Sequence, residues 1–101
     1  MRVLGSEVES LVRDFLLAQG LQFVASNYRC KNGEVDLIMR DKDTMVFVEV
    51  RYRQHDTHGD GIATVNKSKQ YRIKRTAAFY LKKHNLYDRV GCRFDIRPVA
   101  E

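Results

Sequence analysis

The segment over residues 44–53 places the strongest constraint on the fold. It reads TMVFVEVRYR, and its first seven residues are apolar or β-branched except for Glu49. A strand of this composition is typical of the centre of a sheet, where both faces are covered. The sequence therefore predicts a sheet with helices packed on it.

Hydrophobic periodicity and turn signals place the other elements around this strand. The apolar residues that recur at helical spacing before Gly20 are Val8, Leu11, Val12, Phe15 and Leu16, and Asn32-Gly33 is a strong hairpin signal. The predicted elements are a helix over residues 6–19, strands over 21–30, 34–40 and 44–53, a loop over 54–66, a helix over 66–84 and a strand over 91–97.

The predicted order is therefore α-β-β-β-α-β. The second helix is long enough to carry a parallel crossover between the third and fourth strands. We expect an α/β fold with a mixed sheet, and the 101 residues correspond to one domain, 1–101.

Two carboxylates lie in the predicted second and third strands. Asp36 is followed by Leu37-Ile38, and Glu49 is embedded in an apolar run. The short turn at 41–43 makes the two strands neighbours, so Asp36 can lie near Glu49. A buried acid is costly without a partner, and a hard cation would supply one.

Other arrangements of these acids are open on spacing alone. Glu34 shares the face of Asp36 by strand alternation, so either could be the inner ligand. Glu49 and Arg51 also leave their strand on one face and could form an ion pair, with Asp36 capping the turn or pairing with a lysine.

Four blocks of sequence resemble the YraN-like family of small bacterial proteins. They are G-E-V-D-L-I at 33–38, V-F-V-E-V-R-Y-R at 46–53, residues 69–73 and R-F-D-I at 93–96. The family looks like the restriction-endonuclease-like group, which includes archaeal Holliday-junction resolvases. The resemblance implies a nuclease-like α-β-β-β-α-β core, and resolvase-like nucleases often pair, so it is compatible with a homodimer.

The resemblance also implies roles for individual residues. Asp36 and Glu49 would bind Mg²⁺ or Mn²⁺ with support from Glu7 in the first helix, and Arg51 would stand at the lysine position of an E-x-K motif. Arginine effectively never loses its proton, so Arg51 is expected to steady phosphate charge and not to act as a base.

The second predicted helix lies in a strongly basic stretch. No Asp or Glu occurs from Gly61 through Tyr87. Such charge segregation is typical of a surface that contacts a phosphate backbone, although a solvated helix has the same pattern. The residues expected to bind nucleic acid are Lys67, Lys69, Gln70, Arg72, Lys74 and Arg75.

The net charge of +5 fits DNA or another nucleic acid, or an acidic protein, as partner. No apolar run reaches the length of a membrane span, and Glu7 comes too early for a signal peptide, so we expect a cytoplasmic protein. Three hypotheses follow: a metal-dependent endonuclease acting on branched or damaged DNA, a non-catalytic nucleic-acid-binding module on the same fold, and a domain whose basic helix meets an acidic protein.

Overall fold

The computed structural model describes the backbone of residues 5–53 and 67–100. Within these residues the elements are α1 (Gly5–Ala18), β1 (Gln22–Cys30), β2 (Gly33–Asp41), β3 (Thr44–Arg53), α2 (Lys67–Lys83) and β4 (Gly91–Ala100). The predicted α-β-β-β-α-β order is confirmed. The predicted loop over 54–66, which includes the first residue of the predicted second helix, lies outside the described residues.

The described strands form one mixed sheet in the order β1-β2-β3-β4. The pairs β1–β2 and β2–β3 are antiparallel, and β3 pairs in parallel with β4. Strand β4 continues to Ala100, three residues beyond the predicted end. It can include Pro98 because it is an edge strand, where a missing N–H costs no ladder bond on the open side.

Strand β3 is buried on both faces, as its sequence predicts. Val46 and Val48 pack with Val12 and Leu16 of α1 in one cluster, which we call the α1-side core. Phe47 packs on the opposite face in a second cluster, the α2-side core. This cluster also contains Met45, Ile73, Ala77, Tyr80 and Leu81. The helices thus lie on opposite faces of the sheet.

Helix α2 ends on local signals that its sequence carries. Lys82 and Lys83 lie in its last turn, where cations favour the helix dipole. Asn85 follows with a positive φ of 59°, a conformation that Asn tolerates. Neither α1 nor α2 is both long and apolar enough to cross a membrane, and no other helix is present among the described residues.

The β1–β2 hairpin is fitted against α2 at Gly33. This residue has a φ of +147°, and a Cβ built there would lie 3.2 Å from the Thr76 hydroxyl oxygen and 3.6 Å from the Arg72 Cβ. Thr76 is fully buried, and its hydroxyl donates to the Arg72 carbonyl at 2.8 Å. The hairpin tip therefore rests on α2 with no room for a side chain.

We expect Gly33→Ala to destabilise the fold by about 1–3 kcal/mol, because it combines an unfavourable φ with a crowded Cβ. Chemical denaturation checks this value. The matched control is Gly91→Ala, where the new Cβ would meet the Thr44 hydroxyl at an ordinary 3.6 Å. The control should stay within about 1 kcal/mol of wild type. Equal losses in both variants would contradict the fitted contact.

Candidate functional site

The regular alternation of side chains between the two faces of the sheet is interrupted in strand β2 at Asp36. Val35 belongs to the α2-side core and Leu37 to the α1-side core, although residues two apart in a regular strand share a face. On β1, the register places Asn27 opposite Asp36, and Asn27 has a positive φ of 51°. The irregularity on both strands brings Asp36 within reach of groups from both helices.

The Asp36 carboxylate is anchored to the backbone of β3. The Val50 N–H donates to Asp36 Oδ2 at 2.8 Å. The paired register of β2 and β3 reaches Leu37 and Val48, and Asp36 and Glu49 stand at the next position along it. The two carboxyl groups lie close enough for each to shift the pKa of the other. The predicted proximity of these acids is therefore present in the structure.

Glu49 is almost fully buried, with 6% of its surface exposed. Its partner comes from the first turn of α2, where Lys69 Nζ lies 2.6 Å from Glu49 Oε2. Because Lys69 is partly exposed, the ion pair lies at the boundary between the α2-side core and solvent. The site thus combines two acids from neighbouring strands with an ammonium group from a helix.

Burial and mutual repulsion set the ionisation of these acids. Burial is the largest cause that raises the pKa of Asp36, against the hydrogen bond from Val50 and the charge of Lys69, which lower it. Burial also raises the pKa of Glu49, and the charge of Asp36 adds to the effect, while Lys69 opposes it. The pair therefore holds a proton more readily than isolated carboxyl groups do.

A third acid, Glu9 of α1, reaches Asp36 from the opposite face of the sheet. Burial and the charge of Asp36 raise the pKa of Glu9, while the side chain of Asn27 lowers it. Glu7, which the resemblance implies as the supporting acid, is exposed in the first turn of α1. The helix acid that meets Asp36 is therefore Glu9.

Helical geometry explains why Glu9 and not Glu7 faces Asp36. The buried stripe of α1 consists of Val8, Val12 and Leu16. At about 100° per residue, Glu9 lies about 60° from the centre of this stripe and Glu7 about 140° from it. A helical projection of the sequence contained this signal.

The other candidate acid of β2, Glu34, lies at the exposed rim of the cleft that Glu49 also lines. Its carboxylate pairs with Arg29 at 3.0 Å, and 57% of its side chain is exposed. The strand alternation that made Glu34 and Asp36 equivalent is interrupted between Val35 and Leu37. Asp36 is therefore the inner acid of β2.

A cleft of about 500 Å³ opens beside Glu49, between the β1–β2 hairpin and α2. Of the residues expected to bind nucleic acid, Lys69 and Arg72 line this cleft, opposite Arg29 and Lys31 of the hairpin. Gln70 and Lys74 line a smaller pocket on the other side of Glu49. The structure thus divides the basic residues of α2 between two cavities that share Glu49.

The remaining predicted residues lie outside both cavities or in a different contact. Lys67 is exposed at the first residue of α2. Arg75 donates to the Tyr71 hydroxyl at 3.0 Å and lies over its ring. Arg51 is half-buried, and its backbone pairs in register with Pro98 of β4.

The carboxylates of the site do not form a complete metal cage. Across residues 5–53 and 67–100, no group of three or more His, Cys, Asp and Glu side chains is arranged to hold a metal ion. Asp36 and Glu49 supply two carboxylates, and one or two carboxylates with several waters is the ligand set usual for Mg²⁺ in proteins.

Comparison with known proteins identifies the family. The profile of a family described as "Uncharacterised protein family UPF0102" matches residues 8–99. The chain belongs to the UPF0102 family. The YraN-like resemblance is confirmed, because a relative named UPF0102 protein YraN, from Salmonella arizonae, is 46% identical over 93 residues, covering 91% of this chain and 71% of the relative.

Two further UPF0102 relatives show the same extent of similarity. A UPF0102 protein of Coxiella burnetii is 46% identical over 97 residues, which cover 96% of this chain and 81% of the relative. A UPF0102 protein of Aeromonas hydrophila is 47% identical over 93 residues, which cover 91% of this chain and 72% of the relative. The similarity therefore includes both helices and all four strands described above.

The raised pKa values of the acids in this UPF0102 protein predict how its stability depends on pH. A carboxyl group with a higher pKa in the folded state binds more protons there than when unfolded, so stability falls as pH rises above the unfolded pKa. Asp36→Asn keeps an acceptor for the Val50 N–H and removes the charge. We expect the variant to be more stable than wild type near pH 7, with a difference that shrinks towards about pH 4.

Urea denaturation at several pH values, with chelator present, measures this difference. The matched control is Asp43→Asn in the exposed β2–β3 turn, which should change stability by less than about 0.5 kcal/mol. An Asp36→Asn variant that is less stable than wild type at neutral pH would show that the folded state favours the charged carboxylate.

Proposed function

We propose that this UPF0102 protein is a nucleic-acid-binding protein that cleaves phosphodiester bonds in DNA with the help of a divalent cation. The observation that carries the proposal is the contact of two acids from neighbouring strands, Asp36 and Glu49, with Lys69 at the wall of a basic cleft. Buried acids are costly in a small core, and a site for a cation and a phosphate accounts for their presence.

The residues present fit Mg²⁺ or Mn²⁺ held by Asp36 and Glu49. Both are oxygen ligands suited to hard cations, and both have raised pKa values, as expected where two acids share a site without a cation. A divalent ion bound there would polarise a phosphoryl oxygen and lower the pKa of a bound water. Glu9, which lies close enough to Asp36 for the charge of that acid to raise its pKa, would help to position it.

Lys69 would provide the cationic group that the site needs next to the acids. Arg51 is suited to neutralising phosphate, because a planar guanidinium group matches the geometry of phosphate oxygens. The Lys69 ammonium group contacts Glu49 and lines the cleft, so it would lie beside a phosphate bound there. We therefore assign to Lys69 the stabilisation of charge on the phosphate that is being cleaved.

The walls of the cleft support recognition of a phosphate backbone. Arg29 and Lys31 stand on the hairpin, and Lys69 and Arg72 stand on α2. Neighbouring basic groups on both walls attract a polyanion without reading its bases. Such a cleft would accept DNA by backbone shape, which includes branched DNA.

A non-catalytic nucleic-acid-binding module is the second candidate, and one observation favours it. Glu49 already has an ion-pair partner in Lys69, so the fold satisfies this buried acid without a cation. In that case the basic cleft would bind nucleic acid and the acids would only position Lys69. The two candidates predict the same binding and differ in cleavage.

A cleavage assay separates them. Linear and branched DNAs should be incubated with the protein and Mg²⁺ or Mn²⁺, and products resolved on denaturing gels. We expect metal-dependent cleavage that falls by at least about 100-fold in Asp36→Ala, more than the loss usual for a residue that only supports a metal ligand. Asp43→Ala, which removes an exposed acid from the β2–β3 turn, outside the lining of the cleft, should retain activity near the wild-type level.

Lys69→Met and Lys67→Met complete the comparison, since each removes one positive charge from the first turn of α2. The proposal requires a much larger loss of cleavage in the first variant. Undiminished cleavage by Asp36→Ala would rule out this site. Binding of DNA by wild type without cleavage under either metal would establish the non-catalytic alternative.

The proposed binding surface predicts a change in salt dependence. Arg72→Gln removes one phosphate contact from the cleft, so log Kd plotted against log salt concentration should lose about 0.9 of its slope. Fluorescence anisotropy with duplex DNA measures this slope. Lys83→Gln removes the same charge from the last turn of α2 and should leave the slope unchanged. Equal effects of the two variants would indicate attraction by net charge alone.

A further inference from the structure

A small pocket lies on the side of Glu49 opposite the basic cleft. Its volume is about 140 Å³, and Phe47 and Ile73 of the α2-side core contribute to it. Phe94 and Ile96 of β4 add apolar surface, and Gln70 and Lys74 of α2 supply its polar groups. The pocket is thus mainly apolar and borders a carboxylate of the proposed active site.

Phe94 gives the pocket an aromatic platform. Its ring stacks on that of Phe47 with centroids 5.8 Å apart and an angle of 29° between the planes, yet 37% of Phe94 remains exposed. Phe47 in turn packs edge-on against Tyr80, at 6.1 Å. An aromatic ring that is supported from beneath by the core and partly exposed at an edge strand can stack a further planar group.

The charge around the pocket indicates which planar group that is. Lys74 lines the pocket, and α2, on which it stands, carries no acidic residue. Asp95, the acid next to Phe94 in β4, is engaged by Arg93 at 3.4 Å. An apolar, aromatic pocket with a cation beside it is complementary to a planar base that carries a phosphate.

We propose that this pocket binds one unpaired nucleobase of the strand whose backbone lies in the cleft. The base stacks on Phe94, and the Gln70 amide lies within the same pocket to hydrogen-bond its edge. A base in a continuous duplex is stacked between its neighbours and cannot enter such a pocket without being extruded. The protein therefore prefers strands with unpaired nucleotides. This inference rests on the proposed binding of nucleic acid.

Binding of matched oligonucleotides tests the pocket. Kd values should be measured with chelator present for a single strand and for the duplex of the same sequence. Phe94→Ala should weaken single-strand binding between about 5-fold and about 150-fold, the range expected for losing one stacked base. Duplex binding should change by less than about 2-fold, because the basic cleft is intact.

Three variants control for folding and for general loss of aromatic surface. Phe94→Leu keeps apolar packing but offers no ring, so it should bind like Phe94→Ala. Phe94→Trp should restore single-strand binding. Phe23→Ala removes another exposed phenylalanine, on the opposite edge strand β1, and should bind like wild type.

A fluorescent base gives an independent readout. Single strands containing 2-aminopurine should change their fluorescence on binding to wild type and to Phe94→Trp, and not on binding to Phe94→Leu. Equal weakening of single-strand and duplex binding in Phe94→Ala would overturn the pocket while leaving the proposed function in place. A fluorescence change with Phe94→Leu as large as with wild type would do the same. Failure of wild type to bind either oligonucleotide would overturn both.

Discussion

Burial of β3 on both faces is the constraint on which the rest of the molecule depends. Because α1 and α2 cover opposite sides of this strand, a polar residue inside it has to find its partner within the protein. The partner of Glu49 is Lys69, and this ion pair holds the first turn of α2 against β3. The arrangement of the site therefore follows from the packing of α1 and α2 on the two faces of β3.

Much of this architecture could be predicted from hydrophobic pattern and turn chemistry, because each element carries its own local signal. The apolar run of β3 indicated a central strand, Asn32-Gly33 marked the hairpin, and the short turn after β2 brought Asp36 beside Glu49. The partners of these acids could not be predicted from the sequence. They depend on the interrupted alternation of β2 near Asn27 and on which face of α2 packs against the sheet. The sequence marks Lys69 as one basic residue of the helix among several, and its contact with Glu49 is a property of tertiary packing.

The two faces of the sheet contribute unequally to the site. From the α1 side, Glu9 reaches Asp36 through the irregular part of β2 and raises the density of negative charge. From the α2 side, Lys69 and Arg72 bring positive charge to the cleft. Asp36 thus lies between an acid on one face and basic residues on the other, and it accepts a hydrogen bond from the Val50 N–H. In the proposed function, the acids would hold the cation and the basic residues would hold the phosphate.

The tight fit of Gly33 against Thr76 and Arg72 has a mechanical consequence. The hairpin tip and α2 form the two walls of the cleft. They are in close contact at Gly33, which lies against α2. This contact therefore limits how far the two walls can move towards each other, so folding sets a lower bound on the width of the cleft.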